Sequence, residues 1–305
     1  MKTCNKNRIQ WTFTGAAWLL LNLLTITSLQ AQDDETPEPR TVQLQTSDGV
    51  ALSAVYYAGK NEKETVPVIL LHGWDADHSE MVGIANTLQT KYGCAAIVPD
   101  LRGHGNSQRS TKGDELDRDR WRGNDLSVVI EDIEACKKFL IGENNKGELN
   151  IDLLSIVADR ESTIFAALWT LRDWSYAPLG SMKQGQDVKS LILLEPQRSF
   201  KGLNAAKTFQ NDMFAGRGPA FPIVVAYRGN DRDAKNIYDR IARGRKNLSA
   251  KEKALEKHRF EIEKGRRVVK KRGDTTAMGD IIGRFIENQV ASRQQDFRWA
   301  KRGSK

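Results

Sequence analysis

Four short runs of this chain carry almost no polar side chain: Val66–Leu71 (VPVILL), Cys94–Pro99 (CAAIVP), Leu191–Leu194 (LILL) and Pro222–Tyr227 (PIVVAY). A strand can be apolar at nearly every position only when both of its faces are covered, as in the centre of a parallel sheet with helices on each side. Helical runs separate these segments, so the chain reads as a layered α/β domain. Strands are expected at 41–46, 51–58, 66–71, 94–99, 150–157, 188–194, 221–227 and 266–271, the first two pairing antiparallel because they alternate more. Helices are expected near 79–91, 124–140, 160–171, 233–243, 250–264 and 277–294. Ser249 and Glu252 form a capping box for the fifth helix, and Gly265 ends it.

Ahead of this domain, Lys2, Lys6 and Arg8 precede an apolar stretch from Gly15 to Leu29, with Ala31 placed for cleavage. Residues 1–31 read as an export signal, which implies a periplasmic or secreted protein. The bulk of Leu29 near the cut leaves an uncleaved N-terminal anchor as the alternative. No later segment approaches the roughly 20 apolar residues of a spanning helix. Residues 32–40, QDDETPEPR, are acidic with two prolines and read as a linker. In an exported protein Cys94 and Cys136 have two readings, a disulfide or two separate buried thiols.

The stretch VPVILLHGWDADHSEMVGIANTL, followed by AAIVPDLRGHGNSQ, resembles the α/β-hydrolase superfamily. His72-Gly73-Trp74 stands where members place the oxyanion loop, and Asp100 to Ser107 (DLRGHGNS) follows the fourth strand. The resemblance covers about Thr41 to Gln294 and implies a mostly parallel eight-stranded sheet with helices on both faces. Fewer than thirty residues separate the sixth strand from Phe221, so no large lid and a comparatively open cleft are expected. ALWTLRDWS at 167–175 and GSMKQGQDVKSLILLEP at 180–196 further resemble exported planctomycete members that lack the serine.

Such an enzyme needs a nucleophile on the strained turn after the fifth strand, flanked by small residues. Here the turn reads Ala158-Asp159-Arg160-Glu161-Ser162, with Arg160 in the nucleophile's place. A guanidinium stays cationic at any physiological pH and neither attacks a carbonyl nor accepts a proton. Ser162 lies two residues into the next helix, where packing is its expected role. Asp231, with Asp233 near it, stands at the acid position. Asp274 stands where the base histidine should be, and no histidine follows His258. Serine chemistry needs nucleophile and base as a unit, so a degenerate triad without serine-hydrolase activity is expected.

Two roles remain for Arg160. It could join the amides of Trp74 and Glu161, the oxyanion-loop equivalents with Gly73, in a pocket for a small anion. Alternatively it pairs with Asp231, Asp233 or Asp274. His72 and His104 are expected to hold loops. Asp75, Asp77, His78, Asp100 and His104 could instead activate water, giving an esterase, lipase or peptidase with displaced groups. Metal ligation by Asp77 with His78 is disfavoured because adjacent side chains splay apart, and neither metal nor cofactor is expected. The net charge is +8, and from Arg240 to Lys305 twenty basic residues stand against eight acidic ones, ending in a basic tail, 295–305. That bias suits an anionic envelope surface; nucleic acid is the poorer partner because few aromatics interleave as stacking platforms. The function expected is binding or scaffolding at the cell envelope.

Overall fold

The computed structural model describes residues 36–180, 183–215, 221–227, 230–244, 260–264 and 276–303. Strands β1 (Arg40–Gln45), β2 (Ala51–Tyr57), β3 (Pro67–Leu71), β4 (Ala95–Pro99), β5 (Leu154–Asp159) and β6 (Val188–Leu194) precede a short hairpin of β7 (Ser199–Phe200) and β8 (Leu203–Asn204). β9 (Ile223–Tyr227) and β10 (Phe260–Lys264) follow. The main sheet runs β1-β2-β4-β3-β5-β6-β9-β10. β2 is antiparallel to both neighbours and the remaining pairs are parallel. The helices are α1 (Val82–Tyr92), α2 (Asn124–Ser127), α3 (Ile130–Lys146), α4 (Ser162–Ser175), α5 (Ala205–Thr208), α6 (Asp212–Ala215), α7 (Arg232–Gly244) and α8 (Thr276–Gln289).

Every residue of β3, β4, β5, β6 and β9 is buried. Their side chains divide between two cores. Ile69, Leu71, Ile156, Leu193 and Val225 face Ile133, Phe165, Trp169 and Ile237 of α3, α4 and α7. Val68, Leu70, Val157, Ile192 and Val224 face Ile84 and Leu88 of α1 and Ile282, Phe285 and Ile286 of α8. α1 and α8 touch closely because a Cβ on Gly279 would lie 2.6 Å from Thr87 Cβ, and one on Gly283 2.2 Å from the Tyr92 ring. Cys136 belongs to the first core and Cys94 to the second; both are free thiols on opposite faces of the sheet, so the two-thiol reading holds.

Several expectations change, among them the strand expected at 150–157, which opens as a 3₁₀ turn, Ile151–Leu153, before β5. The eighth strand is Phe260–Lys264, inside the stretch read as a helix ending at Gly265, and it pairs in parallel with β9. FEIEK alternates apolar and charged residues, and pairing with β9 outweighed the helical propensity of its lysine and glutamates. Residues 266–271 lie outside those described, as do 1–35. The helix expected at 124–140 begins as the separate turn α2 and continues as α3 to Lys146. The helix expected from 160 begins at Ser162.

The C-terminal segment is tied down. Asn150 Nδ2 donates to Phe297 O (2.8 Å), Asn144 Nδ2 to Ala300 O (3.0 Å), and Asn145 bonds both the N–H (2.7 Å) and the carbonyl (2.9 Å) of Arg302. The Arg302 guanidinium reaches Asp152 and Asp187. This strap crosses the edge where the parallel strands begin, and two cavities of about 500 and 400 Å³ lie along it, lined in part by Trp299 and by Lys137 and Lys183. The opposite edge, where the strands end, carries the site discussed next.

Candidate functional site

β3 and β5 are neighbours, but the helices that follow them leave on opposite faces of the sheet: α1 on one, α4 on the other. Such a divergence opens a crevice at the carboxyl ends of the strands. Gly73 and Trp74 leave β3 there, and Arg160 leaves β5.

Arg160 has φ +44°, left-handed backbone at the apex between β5 and α4. A non-glycine residue there costs about 1–3 kcal/mol and persists only where the surroundings enforce it. Its N–H donates to Leu194 O across to β6 (2.8 Å), and Ala158 and Ser162 on either side are wholly buried. The Ser162 hydroxyl donates to the carbonyl of His72, which fixes it against the loop and away from the apex.

Arg160 Nη2 donates to both carboxylate oxygens of Glu80 (2.9 and 3.1 Å), Nε lies 3.2 Å from Asp159 Oδ2, and Glu161 Oε2 is 3.9 Å away. The guanidinium lies across Gly73: a Cβ there would come within 2.1 Å of Nη2. Both loop amides are also taken, Gly73 N–H by Glu80 Oε2 (3.0 Å) and Trp74 N–H by Glu161 Oε2 (3.0 Å). Carboxylates of the chain itself thus occupy the two loop donors where an oxyanion loop needs them vacant.

Three carboxyl groups around one guanidinium leave the cluster acid-rich. Asp159, 4 % exposed, is pushed up to about 8 by burial, reinforced by Glu80, Glu195 and Glu161 against the pull of Arg160. The Arg160 guanidinium loses some basicity to burial, but Asp159, Glu80 and Glu161 outweigh that and hold its pKa above the ordinary value.

Among the described residues the partners of Arg160 are therefore Glu80 and Asp159, in place of the expected Asp231 or Asp233. Asp231 Oδ1 accepts the Ala234 N–H (3.0 Å) at the start of α7, and Asp233 lies beside Arg198, with 3.9 Å between Oδ1 and Nε. Asp274 and His258 lie outside the described residues. Glu80 had no local signal. It sits seven residues beyond Gly73, and only the turn after β3 folds it back onto the loop.

The Trp74 ring is covered. Trp74, 3 % exposed, packs against Phe200 (5.2 Å between ring centroids), Phe165 (6.1 Å) and Trp121 (6.2 Å), with the Lys201 amine 5.1 Å above its ring. Phe200 and Lys201 belong to the β7–β8 hairpin, so the short segment after β6 folds over Trp74. Among the described residues Trp74 Nε1 is buried without a hydrogen-bond partner.

Among the described histidines, His72 and His104 hold loops. His72 Nε2 accepts the Leu101 N–H (3.1 Å) while Nδ1 donates to Gly73 O (2.8 Å), and burial pushes its pKa down to about 4. The ring nitrogens of His104 lie 2.9 Å from Arg102 O and 2.6 Å from Trp74 O, and burial, then the nearby Arg118 charge, keeps its pKa low. His78 differs: its side chain is 28 % exposed, and Nδ1 lies 2.8 Å from Oδ1 of the buried Asp100. Asp77 and His78, expected to splay, instead converge with Asp100, with one ligand-type atom from each of the three all within 4.8 Å of one another.

No protein-family model matches the chain, and no curated protein matches it in sequence. Solved structures do match in shape. The esterase Pf2001 of Pyrococcus furiosus superposes with a TM-score of 0.54 at 15% identity, over 83% of this chain and 93% of that one. A dienelactone hydrolase of Anabaena variabilis gives 0.55 at 12% identity, over 84% and 100%. An esterase domain of a Rhodothermus marinus protein gives 0.52 at 11% identity, over 83% and 100%.

Proposed function

The fold is α/β-hydrolase-like, and we propose that this chain uses it without serine-hydrolase chemistry, as an exported protein that binds or scaffolds at the cell envelope. One observation carries the reading: the residue at the apex after β5 is Arg160, locked to Glu80 and Asp159, while Glu80 and Glu161 fill the loop amides. A nucleophile at that apex and vacant donors are what acyl transfer requires. The same pairing weighs against Arg160 as a pocket for an external anion, since Nη2 and Nε already face Glu80 and Asp159 in an acid-rich cluster. Export rests on residues 1–31, and attraction to an anionic surface on the basic C-terminal region, where Arg298 and Lys301 are exposed while Arg302 is spent on Asp152 and Asp187.

The test is a fluorophosphonate probe with a panel of esters on the purified chain. Neither labelling nor turnover is expected; labelling abolished by Ser162→Ala would overturn the reading. Binding to anionic vesicles should fall sharply between low and moderate salt and weaken in Arg298→Glu/Lys301→Glu.

The second reading, hydrolysis by displaced groups, is favoured by the His78–Asp100 pair, since a carboxylate-oriented imidazole is suited to take a proton from water. Turnover without probe labelling, lost in His78→Ala, would establish it.

A further inference from the structure

We propose that Asp77, His78 and Asp100 bind a divalent transition-metal ion of the Zn²⁺, Co²⁺ or Mn²⁺ class. The inference is independent of whether the chain hydrolyses anything. One imidazole nitrogen and two carboxylate oxygens lie within 4.8 Å of one another. Around an ion with bonds of about 2.0–2.2 Å, neighbouring ligand atoms stand about 3–4 Å apart, so the three residues can converge on one centre with small side-chain movements. The nearest pair, His78 Nδ1 and Asp100 Oδ1 at 2.8 Å, needs to open by only a few tenths of an ångström.

The donor set selects the class of ion. An imidazole beside two carboxylates suits zinc, cobalt or manganese, whereas calcium and magnesium take oxygen almost alone. Two of the ligands are held from behind. Asp100 takes the N–H of His78 on Oδ1 (2.9 Å) and the N–H of Asn106 on Oδ2 (2.9 Å), and Asp77 Oδ1 takes the N–H of Ser79 (2.9 Å). Backbone donors of this kind orient ligands around a bound ion. The three residues also differ in exposure: Asp100 is 1 % exposed, whereas the His78 side chain, at 28 %, opens to solvent. That leaves entry for the ion and room for water on its outer side. The sequence argument that adjacent residues diverge fails because Asp77 is extended while His78 begins a 3₁₀ turn, which swings the two side chains to the same side.

The experiment is calorimetric titration of the full chain, free of any affinity tag and stripped with a chelator, with Zn²⁺ and separately with Co²⁺ at pH 7.5. One equivalent is expected to bind, Co²⁺ giving a visible absorption band from a low-symmetry nitrogen–oxygen site. His78→Ala and Asp77→Asn should each weaken binding at least tenfold while leaving the circular dichroism unchanged, and Asp75→Asn, the neighbouring carboxylate, should leave affinity as it is. Absence of stoichiometric binding would overturn the proposal, as would an affinity that survives His78→Ala or falls equally in Asp75→Asn.

Discussion

Replacing Arg160 by methionine keeps an unbranched aliphatic stem and deletes the guanidinium that lies across Gly73. Removing one partner of a buried ion pair costs about 3–5 kcal/mol. The Arg160 side chain is 32 % exposed, so solvent screens part of that loss. Glu80 keeps the Gly73 N–H as a donor, and Asp159 answers the loss by holding its proton. With Asp159 raised to about 8, it is mostly neutral at pH 7 even beside the guanidinium. We expect a loss of about 1–2 kcal/mol at pH 7, rising toward about 3 kcal/mol at pH 9, where the wild-type carboxylate ionises against Arg160 and the variant's has no cation to meet. The sign follows from the raised pKa. Taken alone, Asp159 stabilises the folded state most below its unfolded value near 4, and that contribution drains away as pH climbs through about 8; losing Arg160 steepens the decline. Urea melts at pH 6, 7, 8 and 9 measure it, and the double variant with Glu80→Gln separates the pair from its surroundings. A loss that shrinks as pH rises, or none at any pH, would refute the electrostatic account. Arg160→Ser should not hydrolyse esters, since Glu161 still holds the Trp74 amide and no base is supplied.

Arg302→Ala should cost about 2 kcal/mol in urea melts, less than a full buried-pair loss because Asp187 keeps Lys137 (2.8 Å) and Lys183 (2.9 Å). Lys189 lies over the rings of Trp174 and Phe297, and burial pushes its pKa down to about 7. A lysine with a lowered pKa destabilises the fold increasingly as pH falls from its unfolded value near 10.5 through 7. Lys189→Met should therefore raise stability by on the order of 2 kcal/mol at pH 6 and by nothing near pH 10.5, a gain that thermal melts across that range would track. Gly279→Ala should lower the unfolding free energy in urea melts by about 1–3 kcal/mol, because the added methyl meets Thr87 Cβ, which cannot swing aside.

The sheet was legible because buried parallel strands must be apolar on both faces, and that requirement writes itself locally into VPVILL, CAAIVP, LILL and PIVVAY. The apex after β5 was legible for a similar reason: a strained turn tolerates only small neighbours, and Ala158 and Ser162 mark it. β10 was missed because an edge strand makes weaker demands on composition, and a run of lysines and glutamates satisfies a helix equally well.

That residue 160 is a cation incapable of attack is a property of one side chain, fixed by its chemistry before any folding. Which carboxylates surround it was decided only when β3 and β5 came to lie side by side, bringing Glu80 across eighty positions of chain onto the Arg160 guanidinium. The aromatic cover over Trp74 belongs to the same level. Trp74 and Phe200 carry no sign in the sequence that they will meet; the hairpin after β6 brings them together, because aromatic surface left at the ends of the strands is covered most favourably by the nearest segment able to reach it.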